Sequence, residues 1–213
     1  MKKISLLVLF VLVGCQFKLN QSNSEPSRDF MDAFKFDEHC LRICWLGINP
    51  GKTTTEEAIH ILKASDQIDQ QWHQVSDTGF ITEWYPRQTK VFSSTVGIQF
   101  EKGVVKSLVI TDIPYMMDDF LELLGQPDQI RIDVQVAEVD YVKYAVYFSE
   151  SKTMIGVYPA KWTGPDPTDT KFTLWLNTDF NDAPPYNWGD IQPWLGYGHL
   201  GEYLPEVEIP KNP

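Results

Sequence analysis

The chain of 213 residues carries a formal net charge of −11, with 43% hydrophobic and 13% aromatic residues. Its length suffices for one large domain or two small ones, and its apolar content excludes a disordered chain. The acidic balance repels phosphate backbones and anionic headgroups, so neither nucleic acid nor a bare lipid surface is an expected specific partner.

Lys2 and Lys3 precede a short apolar run, Ile4 to Val13, that ends at Gly14-Cys15. A membrane span needs about 20 apolar residues, so the run predicts a signal peptide instead. Leu12-Val13-Gly14-Cys15 resembles the lipobox of bacterial lipoproteins. The resemblance implies a signal peptide over 1–15, lipidation of Cys15 with palmitate-type chains, and attachment to the cell membrane or outer membrane with the body outside the cytoplasm. Residues 16–38 are rich in Ser, Asn and Gln and lack apolar periodicity. They predict a flexible tether holding the body off the membrane, with no more than a short turn around Asp32 to Phe36.

With Cys15 assigned to lipid, Cys40 and Cys44 remain as a pair in an oxidising compartment, and a disulfide is the economical reading. Whether the two sulfurs meet depends on local backbone geometry. Zinc is the alternative, but it wants four ligands and only His39 is near. A thioredoxin-like role needs Cys-x-x-Cys, and the spacing here is one residue too long.

Pro50-Gly51 then predicts a turn, and Thr53 or Thr54 a helix cap. Glu56 and Glu57 suit a first turn, and Ala58, Ile61 and Leu62 give an apolar face, so a helix is expected over about Thr54 to Ala64. The string Gly47-Ile48-Asn49-Pro50-Gly51-Lys52-Thr53 ends like a phosphate loop but has three residues between its glycines where four are required. Pro50 also removes an amide. No nucleotide is expected as a partner.

Strand patterns follow at Gly79 to Tyr85, Thr95 to Phe100 and Val104 to Ile110, the last two joined by Glu101-Lys102-Gly103 as a hairpin loop. A second helix is predicted from about Pro114 to Leu124, with Met117, Phe120, Leu121 and Leu124 on its apolar face and Gly125 closing it. Strands are then expected at Tyr141 to Phe148, Thr153 to Tyr158 and Lys171 to Leu176. Helix followed by a meander of about three strands thus occurs twice, about sixty residues apart, which predicts an α+β fold of two tandem repeats over 39–110 and 111–176.

Pro50-Gly51-Lys52-Thr53 ahead of a helix, and Leu123-Leu124-Gly125-Gln126-Pro127-Asp128 ahead of strands, resemble the repeat unit of beta-lactamase-inhibitor-protein-like domains and of the small lipoprotein of the outer-membrane barrel assembly machinery. More narrowly, Cys40 to Thr54 resembles the opening of uncharacterised bacterial lipoproteins that share Cys-x3-Cys-Trp-x-Gly-Ile-x-Pro-Gly-x-Thr. The resemblance implies a recurrent exported module and no activity; inhibition of beta-lactamase does not carry over, because fold does not determine function.

The tail over 177–213 interleaves Tyr186, Trp188, Trp194, Tyr197 and Tyr203 with prolines and glycines. Such a segment either wraps the sheet or presents an aromatic platform, so Trp188, Trp194, Tyr186 and Tyr197 are candidate binding residues. His39, His60, His73 and His199 lie far apart, no Gly-x-Ser-x-Gly string occurs, and Asn177 to Asp182 departs from a calcium loop at its sixth position. No metal or other cofactor is expected. A non-catalytic module binding a protein or envelope polymer is the favoured reading; the alternative is a carbohydrate-active enzyme or sugar-binding subunit using the C-terminal aromatics.

Overall fold

The computed structural model describes residues 28–35, 40, 43–85, 94–135, 141–160, 164–168, 172–177, 189–198 and 200–205. The predicted signal peptide with Cys15 and most of the predicted tether lie outside these residues.

The body starts earlier than the sequence predicts. Residues expected to be tether form helix α1 (Arg28–Ala33) and strand β1 (Phe34–Lys35), and Phe30 and Phe34 are fully buried. β1 pairs antiparallel with β2 (Cys44–Trp45). Cys40 and Cys44 are joined by a disulfide, with Cα atoms 5.6 Å apart. Directly after β2, Leu46 and Gly47 both take positive φ, 51° and 84°. The Trp45 and Ile48 backbones therefore exchange hydrogen bonds of 3.1 and 2.8 Å across a reversal that returns the chain to the core.

Helix α2 (Thr55–Ala64) is closed at its start by a capping box. The Glu57 amide donates to Thr54 Oγ1 at 3.2 Å and the Thr54 amide to Glu57 Oε2 at 2.9 Å. Its buried face carries Ala58 and Leu62. Four antiparallel strands follow: β3 (Ile68–Ser76), β4 (Gly79–Trp84), β5 (Ser94–Glu101) and β6 (Val104–Ile113). Helix α3 (Met117–Leu124) then precedes β7 (Gln129–Gln135), β8 (Tyr141–Phe148), β9 (Thr153–Ala160) and β10 (Phe172–Leu176). The tail adds β11 (Ile191–Pro193) and the short helix α4 (Leu200–Tyr203).

Each meander therefore has four strands where three were expected, β3 and β7 being the additions. The two sets meet edge to edge through β6 and β10. They form one nine-stranded sheet in the order β11-β7-β8-β9-β10-β6-β5-β4-β3, antiparallel throughout. The class is mixed α+β, dominated by this sheet.

All the larger helices pack on one face. Alternate residues of the strands, among them Trp84, Ile98, Ile110, Leu174, Ile155, Val146 and Ile130, share a single core with Ala58 and Leu62 of α2 and Phe120 and Leu121 of α3. Its centre is a chain of rings in edge-to-face or tilted contact. Trp45 meets Trp84 at 5.6 Å, Trp84 meets Phe34 at 5.7 Å, Phe34 meets Phe120 at 5.1 Å and Phe120 meets Phe172 at 5.3 Å. Such contacts contribute beyond the area they bury. Phe34 lies between residues of both halves, which gives the segment expected to be a spacer a structural reason to be ordered.

Candidate functional site

The opening motif resolves into structural contacts. The Gly51 amide, at φ 85°, donates to Val105 O at 2.7 Å, and the Lys52 and Thr53 amides donate to Asn49 O at 3.1 and 2.9 Å. The Asn49 amide donates to Thr53 Oγ1 at 2.8 Å, and Val105 returns a bond to Thr53 O at 2.9 Å. A phosphate cradle presents its amides to solvent; these amides are engaged by protein oxygens and fasten the start of α2 to β6.

Of the aromatic residues singled out in the tail, Tyr186 and Trp188 lie outside the described residues. Trp194 and Tyr197 come together in edge-to-face contact at 5.6 Å and pack on the main core. Trp194 Nε1 donates to Gln126 Oε1 at 3.0 Å and its amide to Asp128 O at 3.2 Å, tying the tail to the loop after α3. The Tyr203 hydroxyl accepts from the Leu195 amide at 3.0 Å and donates to Gly196 O at 2.6 Å. Burial pushes its pKa up, opposed by the Leu195 bond and reinforced by the Glu202 charge. These two candidate rings are thus engaged in packing the tail onto the second half of the sheet. Among the described residues no group of three His, Cys, Asp or Glu side chains could hold a metal ion, and no helix is long and apolar enough to cross a membrane.

The feature that sequence reasoning missed is the opposite face of the sheet, which carries no helix among the described residues and is termed the helix-free face. Following the registered pairs across it, Ile81 on β4 faces Gly97 on β5, Gly97 faces Val109 on β6, Val109 faces Trp175 on β10, Trp175 faces Met154 on β9, and Met154 faces Tyr147 on β8. The row is apolar and ends in glutamine on both sides, Gln74 on β3 and Gln129 on β7. Directly opposite residues on one face lie within about 5 Å of each other, so these side chains form a continuous band. A parallel row, Thr173, Gly156 and Ala145, lines one side of it with small groups.

The band is unevenly filled. Over β8 and β9 it is closed: Ala145 and Met154 are 1% exposed and Tyr147 7%, forming a second small core with Trp175 against it. Lys143, buried on the same face, pairs with Asp133 at 2.9 Å. Over β3 to β6 it is open. Gly97 leaves the floor bare, and a Cβ added there would meet nothing within 4 Å. Ile81 is 42% exposed, and a depression of about 450 Å³ runs over Gly79, Ile81, Gly97, Gln99 and Val109. At the margin the Tyr85 hydroxyl donates to Glu83 Oε2. That bond is the main reason its pKa is pushed up to about 12; partial burial and the Glu83 and Asp69 charges add to it.

No protein-family model matches the chain, and no curated protein or solved structure is significantly similar to it.

Proposed function

We propose that the chain is a membrane-anchored lipoprotein whose body acts as a non-catalytic binding module for a protein or envelope polymer, contacting it through the helix-free face over β4 to β6. The observation that carries the reading is the apolar row from Ile81 to Trp175 with glycine at its floor. Solvated sheet faces ordinarily alternate to polar residues, and contiguous exposed apolar surface marks interaction sites. Glycine in a strand interior costs about 0.5–1 kcal/mol, and it recurs where another backbone or ligand approaches closely. In this reading the two helix-plus-four-strand units are copies of one ancestral unit, and the tail is an aromatic wrap that closes the second copy. The anchor is a lipidated Cys15 at the end of the signal peptide.

The binding reading is tested by capturing partners from an envelope extract with the chain from residue 16 onward, beside a Gly97→Val variant. Valine fills open space on a strand it favours, so stability should stay level or rise by about 0.5 kcal/mol while capture is lost. Undiminished capture by a folded Gly97→Val protein would remove the face from the proposal. The anchor is tested separately: Cys15→Ser should move the protein out of the membrane fraction, and retention there would refute lipidation.

A further inference from the structure

The two edges of the sheet are differently guarded. On one side the sheet ends in β11, three residues long and closed by Pro193, and short, proline-bearing edges resist pairing. On the other, among the described residues, it ends in β3, nine residues long. Gln70, Gln71, His73, Gln74, Val75 and Ser76 are all exposed, with Val75 at 52%, and β3 holds neither proline nor lysine. A two-residue turn joins Ser76 to Gly79. In such a hairpin the closing pair and every second pair exchange hydrogen bonds, so the amides and carbonyls of His73 and Val75 face outward. The irregular stretch of β3 lies between Ile68 and His73, leaving the segment beside the depression regular.

Charge at this edge is one-sided. Residues 65–85 contain four acids, Asp66, Asp69, Asp77 and Glu83, and no Lys or Arg. The same field contributes to the raised pKa of Tyr85. Two copies of β3 paired antiparallel about His73 would set Asp69 of each against Asp77 of the other, an unfavourable arrangement.

We propose that the β3 edge takes an extended segment of a partner protein as an added strand, a segment apolar at alternate positions and flanked by Lys or Arg. Backbone bonds to His73 and Val75 hold it, and its basic ends face Asp69 and Asp77. The inference rests on the binding-module reading and names its partner class.

The test titrates the purified chain with a capped peptide, Lys-Val-Thr-Val-Thr-Val-Lys, and with its counterpart bearing Glu at both ends. The lysine peptide should bind about tenfold tighter or better, weaken as salt is raised, and slow amide exchange at His73 and Val75. Val75→Pro removes an outward amide that the β4 ladder does not use, and should weaken binding about tenfold. Equal binding of the two peptides, or binding without slowed exchange at His73 and Val75, overturns the proposal. So does unchanged affinity in a folded Val75→Pro protein. If Val75→Pro fails to fold, the exchange measurement on the native chain decides. Envelope capture lost in Gly97→Val but intact in Val75→Pro would remove the edge and leave the face reading standing.

Discussion

The two four-stranded halves of the sheet bury their helix-side faces alike and diverge on the other side. In the second half, Tyr147, Met154 and Ala145 lie under cover, Trp175 packs against them, and Lys143 is neutralised by Asp133. In the first half, the corresponding surface has Gly97 at its centre and exposed Ile81 beside it. The edges diverge in the same direction: β11 shields β7, while β3 is exposed. The two halves therefore differ in kind: the second is closed on both faces, and the first is closed on its helix side and open on the other.

The division assumes that the halves share one core, and truncating the ring that joins them is the harshest check. Phe34 is fully buried between Trp84 of the first half and Phe120 of the second. Phe34→Ala should cost about 3–5 kcal/mol and lower a single unfolding transition in urea, with fluorescence and circular dichroism coincident. Two separate transitions, one unmoved, would mean that the halves are independent.

A paired substitution on the helix-free face sharpens the comparison at intermediate size. Met154, 1% exposed, should lose about 2–5 kcal/mol on truncation to alanine. Ile81, in the same row but 42% exposed, should lose less than about 1 kcal/mol. Chemical denaturation of the two variants measures the difference directly. Equal losses would show that the first half is as closed as the second.

Much of this plan is legible along the chain wherever local chemistry decides it. Lys102 and Gly103, at φ 53° and 79°, make the expected hairpin turn, and Gly125, at φ 79°, ends α3 with its amide on Leu121 O at 2.8 Å. β7 is legible too, although it lies outside the expected meander: Ile130, Ile132 and Val134 alternate with Gln129, Arg131 and Asp133. β3 was not readable, because Ile68, Trp72 and Val75 are spaced by four and three rather than two, and its irregular stretch breaks the alternation. The segment 28–35 places Phe30, Met31, Ala33 and Phe34 in a run too short to establish a period; its order comes from rings supplied by distant elements. The apolar row was invisible for a related reason. Val109 and Trp175 become neighbours only because β10 returns to pair with β6 across an intervening helix and three strands. No periodicity records that register.

The smallest expected effect lies where the two helices begin. Thr54 and Met116 hold similar cap conformations, φ −70° and ψ 160° against φ −82° and ψ 152°. Thr54 gives Glu57 both its amide and its hydroxyl, and the two bonds lower the Glu57 pKa. Met116 gives Asp119 only an amide, at 2.9 Å. There burial outweighs that bond, Asp118 adds its charge, and the Asp119 pKa is raised. The signs are opposite. Glu57 contributes stability above its unfolded pKa that is lost as pH falls through the lowered folded value. Asp119 contributes below its unfolded pKa, and that contribution is lost as pH rises through the raised folded value. The Met116 side chain is half exposed, so Met116→Thr sacrifices little packing while supplying the missing hydroxyl. It should stabilise the protein by about 0.5–1 kcal/mol at neutral pH, less in acid where Asp119 is protonated, and carbon-detected titration should place the Asp119 pKa lower than in the native chain. A gain that is the same in acid as at neutral pH would show that the hydroxyl acts on the backbone alone, and that the caps differ for a reason other than the one their side chains present.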